Sequence, residues 1–462
     1  MAVRVRTPNR GLAALMAEAQ WGNGQLARSV NRAGLESGLT LGYDESAVSH
    51  WLRGTVPRRQ VRPVVLEALS RRLGRPVSSQ EAGFGRATGG ATGGAAGGAA
   101  GGGAEPDPLS GVIDLGRADM DPSRRSVLAA GMYSAALLAP EYGELSARLE
   151  ASHAGRTTHV GAGEVETVRT MTERIADILD ELGGAHARPM AAAFLVNTVG
   201  PYLRASASGP VKADLLAAAA DLVYLTGWMA MYEKAHGLGQ QYYLQALRLA
   251  AAGQDYLTYC RTLRGMALQA ANLGYGGKAL QLADSAAEAA PAAGPRLQAF
   301  LAGQQAHGAA MVKDRGQAFT RLRQTETALS RADSRRDAVG GYDESAYQFH
   351  TAHVLYELGD LPGSIKALRQ SNRVRPAQER QGRVHANGLL AQRQLELGHV
   401  EAACASWQVF LDDYAFVSSA RGDDHFRTMR TSIRPYLRSP AVRELDERAR
   451  TVAGLKAGRT ES

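Results

Sequence analysis

Residues 43–54 read Tyr-Asp-Glu-Ser-Ala-Val-Ser-His-Trp-Leu-Arg-Gly, and this pattern predicts a short amphipathic helix. Asp44 is placed to cap its N-terminus by accepting a backbone N–H bond, and Gly54 is placed to end it. One face carries four apolar residues at helical spacing: Ala47, Val48, Trp51 and Leu52. The other face carries polar side chains that suit base edges or phosphates: Glu45, Ser46, Ser49, His50 and Arg53. The segment alone fits either a DNA recognition helix or an ordinary surface helix with Trp51 in the core.

Helices predicted on both sides of this segment place it in a small helical domain. Apolar periodicity and end signals predict them over residues 10–19, 23–32 and 63–73. The order helix, helix, recognition helix, helix is that of a small helix-turn-helix domain. We call residues 1–86 the head.

The head carries a motif of a known family. Leu26-Ala27-Arg28, followed by Ser-Ala-Val-Ser-His-Trp-Leu-Arg-Gly at residues 46–54, resembles the Xre (phage-repressor-like) family. That resemblance implies a helix-turn-helix domain that binds double-stranded DNA. Residues 33–43 depart from the pattern, because their three glycines predict a loop where the family has a tight turn. Two alternatives stay open: the loop adds contacts, or the head no longer binds DNA.

The basic charge of the chain is concentrated in the head. Residues 1–86 contain 13 Arg, no Lys and 6 acidic residues, a net charge of +7, whereas the whole chain carries +8. A basic excess confined to one segment is typical of a nucleic-acid binder, and Arg suits phosphate and guanine recognition. We predict phosphate contacts from Arg28, Arg53, Arg58 and Arg59, and base contacts from Glu45, Ser46, Ser49 and His50.

Composition excludes several classes of protein. The chain of 462 residues is long enough for two or three domains, and 45% of its residues are hydrophobic, as in globular proteins. Its two cysteines, Cys260 and Cys404, cannot build a disulfide framework, which is typical of a reducing cytoplasm. No uninterrupted apolar run reaches the roughly 18 residues of a membrane span. We therefore expect a cytoplasmic, nucleoid-associated protein with no membrane partner.

A linker is predicted after the head. Residues 87–103 consist of 9 Gly, 6 Ala and 2 Thr, from which no core can form, and we extend this disordered linker to residue 120. Residues 123–139 contain a twin-arginine pattern before an apolar run. Export signals are N-terminal, so we interpret this run as a helix docked on the C-terminal domain.

From residue 165 to 436 the sequence predicts helix after helix, without strand-like alternation, so the expected fold is all-α. Leu-Gly-x turns at residues 273–275, 358–360 and 397–399 resemble those of tetratricopeptide repeats. Laid on these turns, the repeats are spaced by 40, 39, 46 and 39 residues. Small residues fall where paired helices must approach closely: Gly227, Ala267, Ala306, Ala352 and Ala391 in the first helices, Gly239, Ala279, Ala318, Ser364 and Ala403 in the second. A later position gives Ala246, Ala286, Thr325, Ser371 and Phe410. We predict an α-solenoid over residues 121–462.

The first helices of such a solenoid line its concave face, which is the predicted ligand or partner groove. Aromatic rings mixed with Arg, Asn and His suit a peptide or protein ligand, although several of these rings also fit inter-helix core. The groove residues are Tyr224, Trp228, Tyr232, Arg261, Arg264, Asn272, His307, His353 and Tyr356. His350, His353 and His385 lack a matching carboxylate or cysteine set, so we predict no metal site and no cofactor. No phosphate loop, nucleophile elbow or carboxylate pair indicates an enzyme.

An Xre-like head, a linker and a tetratricopeptide-like body together resemble actinobacterial regulators of sporulation and antibiotic production, and also peptide-pheromone receptors of low-GC Gram-positive bacteria. The Gly/Ala/Arg-rich composition favours the first group. The resemblance implies a homodimeric DNA-binding transcriptional regulator whose repeats sense a peptide, a protein or a small molecule. The alternative is an interaction scaffold whose head no longer binds DNA.

Overall fold

The computed structural model describes residues 8–36, 39–58, 60–73, 75, 77–84, 108–120, 133–134, 159–289, 294–332 and 342–460. Over these residues the chain is helical, and the only extended pairing is an isolated bridge between His159 and Ser206. The chain divides into two compact units. Unit 1 comprises residues 1–107, 122–139 and 235–240, and unit 2 comprises residues 108–121, 140–234 and 241–462.

In its described part, unit 1 contains four complete helices around one apolar core. They are α1 (Arg10–Glu18), α2 (Asn23–Glu36), α3 (Glu45–Leu52) and α4 (Arg62–Leu73). Asn9 caps α1 by accepting a bond from the Leu12 amide at 3.0 Å, and Asp44 caps α3 by accepting one from the Ala47 amide at 2.9 Å. Both caps agree with the sequence. Trp51 is buried in the core with Tyr43 edge-on to its ring, 5.0 Å between centroids.

The connection between α2 and α3 is shorter than the sequence predicts. Helix α2 continues to Glu36, four residues beyond the predicted end at Arg32. Gly34 is helical there, and a β-carbon on it would lie 2.5 Å from the Leu41 side chain. The glycine that predicted a loop instead lets Leu41 pack against the helix. The Asn31 side chain then holds the end of the connection through two 2.8 Å hydrogen bonds to the Tyr43 backbone.

Unit 2 opens with a helix that corrects the predicted linker. Residues 108–120 were assigned to the linker, but they form α5 (Pro108–Met120), with Val112 and Ile113 fully buried. Helix α5 packs on the segment 184–204, and Asp119 accepts a 3.0 Å hydrogen bond from the Tyr242 hydroxyl and pairs with Arg188. The purely Gly/Ala/Thr stretch 87–103 lies outside the described residues, as do Arg59 and all of residues 123–139 except Tyr133 and Ser134.

The remaining helices belong to unit 2, except that residues 236–240 of α10 are part of unit 1. They are α6 (Ala162–Leu182), α7 (Gly184–Phe194), a π-helical turn (Leu195–Val199), α8 (Gly200–Arg204), α9 (Gly209–Tyr232), α10 (His236–Ala252), α11 (Tyr256–Asn272), α12 (Gly276–Glu288), α13 (Pro295–Met311), α14 (Arg315–Ser330), α15 (Glu344–Glu357), α16 (Leu361–Val374), α17 (Arg380–Glu396), α18 (Val400–Tyr414), α19 (Ala420–Ser432), a 3-10 turn (Arg434–Tyr436) and α20 (Pro440–Thr460). From α11 to α18 they pack as consecutive pairs, and the first helix of each pair also contacts the first helix of the next, α15 and α17 through side chains such as Tyr356 and Glu396. This arrangement is that of a helical repeat.

The predicted close-packing positions lie at the contacts between these helices. All fifteen residues of the predicted register, from Gly227 to Phe410, are buried. Small side chains at these points let helix backbones approach, as the sequence predicts. Glycines face rings of neighbouring helices in the same way: a β-carbon on Gly265 would lie 3.0 Å from Tyr224, and one on Gly388 would lie 2.7 Å from His425.

The helical array returns to its own beginning. Helix α17 contacts α6, and the Ser418 amide donates to the Leu182 carbonyl at 2.8 Å. The Ala420 amide donates to the Glu233 carboxylate at 3.3 Å, and Lys234 forms an ion pair with Asp424 at 2.5 Å. The first helices of the pairs therefore surround an interior that α19 completes.

One described helix, α9, meets the length and hydropathy of a membrane span, and 78% of its most apolar 18-residue window is buried within the protein. Lys212, Asp214 and Asp221 interrupt its apolar sequence. Burial on all sides is what a central helix of a helical repeat requires.

Candidate functional site

The exposed face of α3 is the first candidate site. Val48 and Trp51 are buried on one side of this helix, so its polar residues lie on the other. Glu45, Ser46, His50 and Arg53 are exposed, and Ser49 is half-buried. Arg53 donates to the Ser49 hydroxyl at 2.8 Å, which joins a predicted phosphate contact to a predicted base contact.

The basic residues beside α3 are held by specific local packing. Pro57 is buried, and its carbonyl accepts a 3.0 Å hydrogen bond from Arg62 Nε, so the segment that carries exposed Arg58 is fixed to α4. Arg28 is exposed on α2. The Glu45 carboxylate lies beside Gly24 in the first turn of α2, where a β-carbon would meet its Oε1 at 2.3 Å. Arg59 lies outside the described residues, and the DNA contacts of all eight residues stay predictions.

The second candidate site is the interior of unit 2, where aromatic rings and arginines alternate. Trp228 lies between Tyr224 and Tyr232, with ring centroids 6.3 and 5.4 Å away. The Arg261 guanidinium lies 5.1 Å from the Tyr224 ring and pairs with Asp221 at 2.9 Å. The Arg264 guanidinium lies 5.0 Å from the Trp228 ring. We call the following set the aromatic–arginine cluster: Tyr224, Trp228, Tyr232, Arg261, Arg264, Phe300 and Arg421.

Two members of this cluster were missed by the sequence analysis. Phe300 covers Arg264, with 3.7 Å between the guanidinium carbon and the ring centroid, and Arg421 lies 5.2 Å from the Tyr232 ring. Phe300 stands one repeat, 39 residues, after Arg261, so the repeat register contained the signal for it. Arg421 lies on α19 beyond the last predicted repeat, and only the return of the array places it at Tyr232.

Histidines form the other wall of the interior. The His307 and His353 rings contact each other at a tilt of 42° with centroids 4.9 Å apart, and His385 hydrogen-bonds His425 through ring nitrogens 2.8 Å apart. Burial lowers the pKa of His307 to about 4 and that of His425 to about 3, and it holds the pKa of His353 and His385 well below the usual range. These rings are therefore neutral near pH 7. Within the described ranges, no three His, Cys, Asp or Glu residues are grouped to hold a metal ion.

The remaining groove residues lie at the ends of their helices. Asn272 is exposed at the end of α11, and its side-chain oxygen accepts a 3.5 Å hydrogen bond from Arg421. Tyr356 is 38% exposed, lies under Arg393 and donates to the Glu396 carboxylate at 3.1 Å. Asn272 therefore joins the aromatic–arginine cluster, whereas Tyr356 is engaged with α17.

Comparison with known protein families gives a match in the head. A sequence profile of the SP15 N-terminal domain matches residues 12–85. The matched range covers most of α1 and all of α2, α3 and α4, and it carries no statement about the repeats. No curated protein and no solved structure matches the chain.

Proposed function

We propose that the protein is a DNA-binding transcriptional regulator. Its head is a helix-turn-helix domain that places α3 on duplex DNA, and its repeat unit senses a ligand and brings two copies together. The observation that carries the proposal is the exposed polar face of α3, in the segment that holds +7 of the chain's +8 net charge. A basic surface beside a short, firmly packed helix suits phosphate attraction together with base contact.

The packing of the head supports this use of α3. Helix α3 contacts α1 and α2, and α4 contacts the same two helices. The apolar side of α3 is anchored by Trp51, so its polar side is held rigidly toward solvent. In this arrangement Arg28, Arg53, Arg58 and Arg59 neutralise phosphates, while Glu45, Ser46, Ser49 and His50 contact bases.

The paired helices and buried small residues support a tetratricopeptide architecture for unit 2. A ligand in its interior changes the activity of the head only by binding one conformation of the repeats more tightly than another. The resemblance to actinobacterial regulators extends the proposal to a cytoplasmic, nucleoid-associated protein that controls development or antibiotic production.

Pairing of heads follows from the short DNA segment that one such unit covers. Helix-turn-helix proteins usually bind two half-sites related by two-fold symmetry. We therefore propose a homodimer formed by the repeat unit. Light scattering of the full-length protein at micromolar concentration should give twice the chain mass, and a monomer would exclude this part of the proposal.

The DNA-binding part is tested by changing single arginines. The DNA sites that the intact protein binds are first mapped across the genome. The affinity for such a site is then measured as a function of salt concentration. Arg53→Ala or Arg58→Ala should weaken binding to every sequence alike and reduce the salt slope by about one. Arg434→Ala, which removes an exposed arginine of unit 2, should change neither quantity.

Base contacts have a different signature. Ser49→Ala or His50→Ala should weaken the free energy of binding to the mapped site by about 1–3 kcal/mol and change binding to unrelated DNA little. If the intact protein shows no salt-dependent DNA affinity, the interaction scaffold is the better description. In the segment that favoured that alternative, residues 33–36 are helical, and Leu41 and Tyr43 pack on the core.

A further inference from the structure

Arg264 is a buried cation that has no carboxylate partner among the residues that the structure describes. It is 5% exposed, and its Nε atom has no hydrogen-bond partner. The groups that act on it electrostatically include tyrosines, Arg261 and His350, and among the described residues no carboxylate forms an ion pair with it. Burial lowers the pKa of Arg264, which expresses the cost of keeping this charge away from water. By contrast, neighbouring Arg261 is paired with Asp221.

The surroundings of Arg264 leave its nitrogen edge for recognition. Trp228 and Phe300 lie against the guanidinium, at 5.0 and 3.7 Å from ring centroid to central carbon. Rings stacked on a guanidinium satisfy its faces but not its N–H donors, which lie in its plane. A planar anion with two oxygens is the natural acceptor for those donors.

A second cation stands at the other end of the same ring series. The Trp228 and Tyr232 rings lie 5.4 Å apart with their planes tilted by 47°, and the Arg421 guanidinium lies 5.2 Å from the Tyr232 ring. Arg421, Tyr232, Trp228, Arg264 and Phe300 thus follow one another in an unbroken series of cations and rings. Asn272, exposed beside Arg421, marks the end of this series that solvent reaches.

The neutral histidines make the interior selective for an anion of modest charge. His307 is 4% exposed, and its Nδ1 has no hydrogen-bond partner. Because the pKa of His307 is lowered to about 4, it adds a neutral polar group and not a further positive charge. The charge without a described acidic partner is therefore that of Arg264, which is flanked by rings.

We propose that this interior binds a carboxylic acid with a planar apolar body, whose carboxylate accepts from Arg264 and whose body stacks on Trp228 and Tyr232. The assignment rests on the proposed function, since it names the ligand class that the repeats sense. A small organic acid and the C-terminal residue of a short peptide share this chemistry. The acid offsets a charge that no described residue neutralises.

The test is calorimetric titration of the full-length protein with matched acids and amides. The probes are phenylacetate and phenylacetamide, then acetyl-glycyl-phenylalanine and its C-terminal amide. We expect saturable binding of at least one acid and none of the corresponding amide, and the acid that binds identifies the source. Absence of saturable binding by both acids, or equal binding of acid and amide, overturns the assignment.

Arg264→Met separates a ligand contact from a structural role. Loss of a charge-assisted hydrogen bond should weaken acid binding about 10- to 100-fold. The melting temperature should stay unchanged or rise, because an uncompensated buried charge is replaced by an apolar side chain of similar length. A lower melting temperature with undiminished acid affinity would mean that Arg264 only packs the interior. Arg434→Met is the matched control and should alter neither the acid affinity nor the melting temperature.

The DNA affinity of the same preparation, measured without acid, distinguishes failure of the ligand assignment from failure of the proposed DNA-binding function. Loss of acid binding with salt-dependent DNA affinity intact removes the ligand assignment alone. Acid binding without DNA affinity removes the regulator and leaves the ligand assignment standing.

Discussion

Gly303 occupies a position on α13 at which a β-carbon has no room. That atom would lie 2.5 Å from the Tyr342 hydroxyl and 2.4 Å from His350 Nδ1, and these two groups hydrogen-bond each other at 2.9 Å. Both side chains are buried, so neither can move into solvent. The absence of a side chain is therefore what lets this pair form at the helix surface.

Gly303→Ala should destabilise unit 2 by about 1–3 kcal/mol, because overpacking a buried contact forces neighbours away from their rotamers. Gly277→Ala is the matched control: it also lies in a helix, but nothing lies within 4 Å of its β-carbon position. That variant should be neutral or stabilising by up to about 1 kcal/mol. Thermal unfolding of both variants measures the difference, and equal effects would mean that the Tyr342–His350 pair yields at no cost.

Arg264 shows at the same scale why a residue type alone does not define a role. Arg261 and Arg264 lie on one helix and are both buried, yet only Arg261 is paired with Asp221. The sequence places both in the groove, and their difference arises from which side chains of α9 and α13 meet them.

At the scale of elements, the connection into α3 decides how firmly this helix is held. Asn31 on α2 donates to the Tyr43 carbonyl and accepts from the Tyr43 amide, both at 2.8 Å. Tyr43 in turn packs edge-on against Trp51. One side chain thus fixes the residue before the Asp44 cap.

Asn31→Ala should lower the free energy of unfolding of the head by about 1–3 kcal/mol, because the amide and the carbonyl of Tyr43 both lose their hydrogen-bond partner. The measurement is hydrogen exchange of the full-length protein, in which the Tyr43 amide should exchange faster while unit 2 is unaffected. Asn197→Ala, at an exposed site on unit 2, serves as the control. Unchanged protection at Tyr43 would show that the connection is held by Leu41 and Trp51 packing alone.

At the scale of the whole molecule, acid should destabilise the repeat unit. Five buried histidines have a lowered pKa, with values of about 4 for His307 and about 3 for His425. In the unfolded chain these histidines take up protons near pH 6.5, whereas the folded chain resists protonation. The stability that the neutral rings contribute is therefore complete above pH 6.5 and is lost as pH falls toward 4. Within this window, each histidine lowers the free energy of unfolding by about 1.4 kcal/mol for each pH unit of acidification.

Two carboxyls oppose this trend. Burial raises the pKa of Asp180 and of Glu233 to about 7. Their contribution is present below the unfolded value near 4 and is lost as pH rises through 7, so they favour the folded state on acidification. Five histidines outweigh two carboxyls, and we expect the calorimetric transition of the repeat unit at a lower temperature at pH 5 than at pH 7.

His307→Gln tests the origin of this dependence. It removes one buried titrating ring and should make the change of melting temperature with pH shallower, whatever its effect on stability at pH 7. A repeat unit that melts no lower at pH 5 would mean that the carboxyls dominate, and an unchanged slope in the variant would exclude His307 as a contributor.

The sequence by itself determined the local features of this protein. Helical periodicity, the Asn9 and Asp44 caps and the small residues of the repeat register depend on contacts within one helix or between neighbouring helices, and each is visible in a short window. The concentration of charge in residues 1–86 is likewise a property of composition. These features predicted an all-helical chain with a repeat-like C-terminal region, which the structure confirms.

Only the tertiary structure decided which distant residues meet. Helix α5 was assigned to the linker because its burial depends on α7 and Tyr242, far along the chain. Arg421 reaches Tyr232 because small rotations between successive helix pairs add up until α19 meets α9, and no single repeat encodes that sum. The pKa values in the interior also depend on tertiary structure, because burial lowers the pKa of the histidines and of Arg264.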